Sequence, residues 1–98
     1  MKIIWTEQAL VRLIEIQDFI ARANPEAAER LVHQVVVRGD GLSKFPEMGR
    51  TVPELPGTGI REIIEGRYRI VYRIHAKVIQ ILTVFEGHRQ FPTGDVGK

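Results

Sequence analysis

The chain has 98 residues and a formal charge of +2, a length that makes a single domain, residues 1–98, with one core. It contains no cysteine, which excludes a disulfide framework, a thiolate metal site and a thiol nucleophile, and fits a reducing cytoplasm. No stretch approaches the roughly 18 consecutive apolar residues of a membrane span, and the opening Met1–Glu7 lacks the apolar region of a secretory leader. Lys2-Ile3-Ile4-Trp5 is an apolar, β-branched run too short for a helix, so it reads as a strand. Thr6 then changes the period. It is a good N-cap, Glu7 suits the first turn, and Ala9, Leu10, Leu13, Ile14, Ile16, Phe19 and Ile20 recur at helical spacing, which predicts a helix to about Arg22.

Asn24-Pro25-Glu26 combines a capping side chain, a proline at the first helical position and an early acid, and starts a second helix. Ala28, Leu31, Val32, Val35 and Leu42 form its apolar stripe. The helix is expected to reach about Lys44 despite Gly39 and Gly41, because Phe45-Pro46 is the clear stop. Only Ala23 and Asn24 separate the two helices, so they fold back as an antiparallel hairpin. Phe45 to Gly59, with three prolines and three glycines, reads as a loop long enough to suggest a function of its own.

The remaining segments are strands. Ile60–Ile64 and Arg67–Ile74 flank a turn at Glu65-Gly66, and Val78–Phe85 follows after His75-Ala76-Lys77. The expected fold is α+β in the order β-α-α-β-β-β, with the helical hairpin packed on one face of an antiparallel sheet.

Charge is unevenly distributed. Residues 1–57 hold seven Lys/Arg and eight Asp/Glu, residues 58–98 hold seven and four, and ten of the fourteen cations are arginine. An acidic partner is implied. Within Arg67–Ile74, alternation puts Tyr68, Ile70, Tyr72 and Ile74 on one face and Arg67, Arg69, Val71 and Arg73 on the other. The tyrosine face is expected under the helices and the arginine face in solvent. Such a row meets an anion, is dispersed by acids such as Glu62 and Glu65, or simply keeps an open sheet face soluble. Both tyrosines lie on the wrong face for stacking nucleic-acid bases among these cations.

Glu86-Gly87-His88-Arg89 follows the last strand, and an imidazole beside a guanidinium there could serve proton transfer with charge stabilisation, or a polar contact to a protein. His33 and His75 are expected at the surface. No metal-ligand spacing, catalytic triad or phosphate-cradling loop is present, so no metal or cofactor is expected.

Several strings, taken in order and spanning nearly the whole chain, resemble the RelE/ParE superfamily of type II toxin-antitoxin toxins. They are Trp5-Thr6-Glu7-Gln8-Ala9-Leu10, Phe45-Pro46-Glu47-Met48-Gly49-Arg50, Arg61, Arg67-Tyr68-Arg69-Ile70-Val71-Tyr72-Arg73-Ile74 and Ile79–Arg89. The resemblance implies a cytoplasmic toxin silenced by a cognate antitoxin in a hetero-oligomer. The RelE-like branch implies cleavage of mRNA on the ribosome; the ParE-like branch implies inhibition of DNA gyrase. Arg69 matches the strand arginine of the RelE-like site, and Arg89 a second, but beyond Arg89 the chain offers no tyrosine and no expected terminal helix. The Phe85–Arg89 string resembles the ParE-like ending, with Glu86 where many of that group have histidine.

Gyrase inhibition is therefore the favoured function, with Arg61, Arg67, Arg69, Arg73, His88 and Arg89 as target contacts. The alternative is a ribosome-dependent mRNA endonuclease with His88 as general base and Arg69 and Arg89 at the phosphate. Leu10, Leu13, Phe19, Leu31 and Val35 on the helices, with Arg69 and Arg73, are the expected antitoxin contacts.

Overall fold

In the computed structural model, which describes residues 1–97, two polar side chains set the starts of the long helices. The Thr6 hydroxyl accepts from the Ala9 amide at 3.2 Å and caps α1 (Glu7–Ala21). Asn24 Oδ1 accepts from the Ala27 amide at 3.1 Å and caps α2 (Pro25–Asp40), whose first turn holds Pro25. Each bond satisfies an amide that a helix start would otherwise leave unpaired. A short 3-10 turn, Gly41–Ser43, carries the chain on to Lys44. Gly39 is required by packing, because a Cβ there would lie 2.7 Å from Cζ2 of Trp5. Its absence lets α2 lie against β1 (Lys2–Trp5).

The sheet contains β1, β2 (Arg50–Thr51), β3 (Arg61–Glu65), β4 (Tyr68–His75) and β5 (Val78–Glu86), in the order β1-β5-β4-β3-β2. The helices pack on one face, as expected for an α+β chain, but the sheet is mixed rather than antiparallel. β1 runs parallel to β5, with Lys2 opposite Val78 and Trp5 opposite Ile81. The reason is the helical hairpin: two antiparallel helices return the chain beside the start of β1, where the Met1 ammonium donates to Ser43 O at 2.9 Å. β3 therefore begins at that end and runs with β1, and two hairpins later β5 does the same. The second difference is β2, a two-residue strand inside the expected loop that pairs Arg50 with Glu62 and Thr51 with Arg61.

Tyr72 pins this loop. Its hydroxyl donates to Pro46 O at 2.7 Å and accepts from the Gly49 amide at 3.0 Å. A Cβ on Gly49 would sit 2.5 Å from Glu62 O and 2.7 Å from Tyr72 Oη. Gly49→Ala is expected to destabilise the fold by about 1–3 kcal/mol through overpacking, read as a lower midpoint in urea unfolding.

Two apolar clusters flank the sheet. The inner one, under the helices, includes Ala9, Leu13, Val35, Leu42, Ile70, Tyr72, Ile79 and Ile81. The outer one is Val52, Ile60, Val71, Leu82, Phe85, Phe91 and Val96. The β4–β5 register moves from Val71 opposite Thr83 to Tyr72 opposite Ile81, so Leu82 is an extra residue and joins the outer cluster. The chain after β5 forms a single helical turn, α3 (Thr93–Val96), with Val96 buried, where no terminal helix was expected. No helix among the described residues is long and apolar enough to cross a membrane.

Candidate functional site

The alternation in β4 assigns its faces correctly, yet the arginine face is not open to solvent. Its outward side is covered by the loop that supplies Val52 and Ile60 and by the segment that supplies Phe91 and Val96. Arg69 lies beneath this cover, with its side chain only 9% exposed. Arg69 Nε donates to Glu62 Oε1 at 2.6 Å, while Nη1 and Nη2 donate to the two oxygens of Glu54 at 2.9 and 2.7 Å. The guanidinium carbon sits 4.9 Å from the Phe85 ring centre and 5.5 Å from that of Phe91. Glu62 is fully buried and also accepts from Arg50 Nε at 2.7 Å. A buried carboxylate persists only with such partners, so Arg50, Glu62, Arg69 and Glu54 form one alternating network.

This corrects the expectation of three free guanidiniums. Arg69 is internal, and Arg73 is half-buried, with Nε donating to Gln80 Oε1 at 2.7 Å. Arg61 donates to the Gly49 carbonyl at 2.7 Å and so braces the loop. Arg67, Arg89 and His88 are exposed. Arg67 and Arg89 flank Glu86, each with a nitrogen 3.7 Å from one of its oxygens. Arg67, His88 and Arg89 share one end of the sheet, around the β3–β4 turn and the segment after β5. His33 and His75 are exposed, as expected.

Arg12 was not singled out in the sequence. It reaches from α1 to the C-terminal turn, with Nε 2.7 Å from Asp95 Oδ2, and the Thr83 hydroxyl donates to that same oxygen at 2.8 Å. Burial pushes the Asp95 carboxyl upward, but the bonds from Arg12 and Thr83 outweigh it and hold it below the usual carboxylate range. For Glu54, the hydrogen bonds from Arg69 dominate and pull the carboxyl down to about 2. A carboxyl with a depressed folded pKa contributes stability above its unfolded pKa and loses it as pH falls through the folded value. Stability is therefore expected to fall between about pH 4.5 and pH 2. Glu54→Gln is expected to flatten that slope in urea unfolding at stepped pH.

On the helical side, Leu10, Val11, Ile14 and Phe19 of α1 are exposed. Leu10 and Ile14 stand one turn apart and form an apolar ridge. Leu13 and Val35, expected as partner contacts, lie in the inner core instead, and Leu31 is half-buried against it. Phe19 borders a groove of about 430 Å³ between α1 and the sheet end, also lined by Arg12, Tyr68, Glu86 and Arg89. Burial, with Glu86 nearby, raises the Tyr68 phenol above its ordinary value. Among the described residues, no group of three or more His, Asp or Glu is arranged to hold a metal.

Sequence and structure comparisons agree with this architecture. The family model for the ParE toxin of the type II toxin-antitoxin system parDE matches residues 3–91. The putative toxin Y4kP of Sinorhizobium fredii is 38% identical over 95 residues, 93% of each chain. Toxin RelE2 of Caulobacter vibrioides is 30% identical over 84 residues, 85% of this chain and 91% of the relative. Among solved structures, a chain of the chromosomal ParDE system of P. aeruginosa superposes with a TM-score of 0.74 at 27% identity, covering 88% of this chain and 95% of that one. The RelBE2 toxin-antitoxin complex of Mycobacterium tuberculosis shares the fold, with a TM-score of 0.62 at 24% identity over 87% and 95% of the two chains.

Proposed function

Because the chain belongs to the ParE toxin family of type II toxin-antitoxin systems, we propose that it inhibits DNA gyrase and is held silent in the cytoplasm by a cognate antitoxin. The observation that carries the gyrase reading is the occupied state of Arg69: all three guanidinium nitrogens donate to carboxylates. Cleavage of RNA by its 2′-hydroxyl needs a proton acceptor, a proton donor and a free cation at the phosphate. With Glu54 seated, Arg69 supplies no free cation. His88 is exposed and has no hydrogen-bonded partner to orient it among the described residues. The alternative, a ribosome-dependent mRNA endonuclease built on His88, Arg69 and Arg89, therefore lacks an assembled catalytic group.

Gyrase contact then falls to the exposed cations at the sheet end, Arg67, His88 and Arg89, while half-buried Arg73 lies toward the other end of β4. Arg61 and Arg69 act from within, by bracing the loop and the outer cluster. The antitoxin reading rests on the apolar ridge of Leu10, Val11 and Ile14, a helix face that an amphipathic segment covers well. It is also supported by the ParDE and RelBE2 systems to which the solved relatives belong.

Purified protein assayed in parallel for supercoiling by gyrase and for cleavage of ribosome-bound mRNA is expected to inhibit supercoiling and to leave the mRNA whole. Cleavage without loss of supercoiling would overturn the gyrase reading. Within that assay, His88→Ala abolishes cutting only if the endonuclease reading holds.

A further inference from the structure

The two carboxylates bonded to the Arg69 guanidinium differ in how they are held. Glu62 is 0% exposed and is fixed from two sides by Arg50 and Arg69. Glu54 is 41% exposed, belongs to the loop between β2 and β3, and is bonded to Arg69 alone among the described side chains. Glu54 faces the Arg69 fork with both carboxylate oxygens, one to Nη1 and one to Nη2. This is the planar two-bond geometry that guanidinium groups form with carboxylates. The outer half of the guanidinium is thus closed by a single, partly hydrated side chain on a loop.

We infer that the Arg69 fork is a carboxylate-binding seat, filled in cis by Glu54 and in trans by an acidic side chain of a protein partner. The inference rests on the antitoxin reading only for the owner of that acid. Exchange is feasible because the incoming carboxylate remakes the same two charge-assisted bonds, while Glu54 moves into water it already partly contacts. A tethered carboxylate competes at an effective concentration of about millimolar. A partner already docked elsewhere on the toxin delivers its own acid at a comparable level.

Charge limits the occupant to a single negative charge. With Glu54 displaced, Arg50, Glu62 and Arg69 leave one net positive charge, which a single carboxylate neutralises. A phosphate dianion would instead add a charge beside the buried Glu62. The flanking rings of Phe85 and Phe91 line the seat with apolar surface and favour a peptide side chain over a strongly hydrated anion.

The test uses Glu54→Ala and Glu54→Gln, the second retaining a neutral side chain of the same length should the first fail to fold. Each is titrated at neutral pH with acetate, with a capped tetraglutamate peptide and with inorganic phosphate, following the Arg69 Nε–H resonance. Saturable binding of acetate and of the peptide, at least tenfold tighter in a folded variant than in the parent chain, is the expected result. An acetate response no stronger than that of the parent overturns the inference. So does phosphate binding tighter than acetate, which would assign the seat to a phosphoryl group. Failure here leaves the antitoxin reading intact, since that reading is tested on the α1 ridge.

Discussion

Arg69→Ala lowers the free energy of unfolding by about 3–5 kcal/mol, the usual penalty for stranding one partner of a buried ion pair. The substitution leaves Glu62 with Arg50 as its sole cation and removes the group that lies against the Phe85 and Phe91 rings. A chain of this size has a total stability of about 5–15 kcal/mol, and each kcal/mol is worth roughly 4–8 °C in Tm. A drop of roughly 12–40 °C is therefore expected in a thermal melt. A matched double variant, Arg69→Met with Glu62→Met, is expected to recover at least half of the loss, because Arg50 and Glu54 are left hydrated at the surface. A single variant within 1 kcal/mol of the parent would contradict the buried network. Loss of toxicity in Arg69→Ala accordingly reports on folding before it reports on target contact.

The second large effect is on binding. Leu10→Asp combined with Ile14→Asp puts two charges on the α1 ridge, and the pair is expected to weaken antitoxin affinity by about 100-fold, or roughly 3 kcal/mol. Both side chains are already exposed, at 45% and 53%, so stability should change by less than about 1 kcal/mol. Leu13→Asp, one position from this ridge, buries its charge in the inner core and is expected to unfold the chain. Calorimetric titration of the antitoxin into each folded variant separates the two outcomes. Unchanged affinity in the double variant would remove the ridge from the interface.

The helical hairpin was legible in the sequence because its determinants are local. Thr6 and Asn24-Pro25 act within one turn, and the stripes they precede are periodic. The direction of β1 was not legible, since Ile3, Ile4 and Trp5 pair as well in either sense and only the geometry of the two helices decides. The two faces of β4 were also readable, but their environment was read from Arg67, Arg69 and Arg73 alone. Val71 on the same face, with Phe85 on the next strand, was the available sign that this side is covered. Leu82 was hidden by the register shift, and Phe91 and Val96 by a tail rich in glycine and short of periodic pattern. Glu62, on the neighbouring strand, is readable as a neutralising acid, whereas Glu54 reaches Arg69 from a loop whose path no sequence pattern encodes.

The parallel neighbours β1 and β5 are the first and last strands of the chain to be synthesised. Chain growth proceeds at about 5–20 residues per second, so Lys2 waits several seconds for Val78, the residue opposite it. Until then the nascent helices have no sheet to rest upon, and their inner stripe is unshielded. On the proposed reading of the α1 ridge, the same interval leaves that helix open to an antitoxin already present.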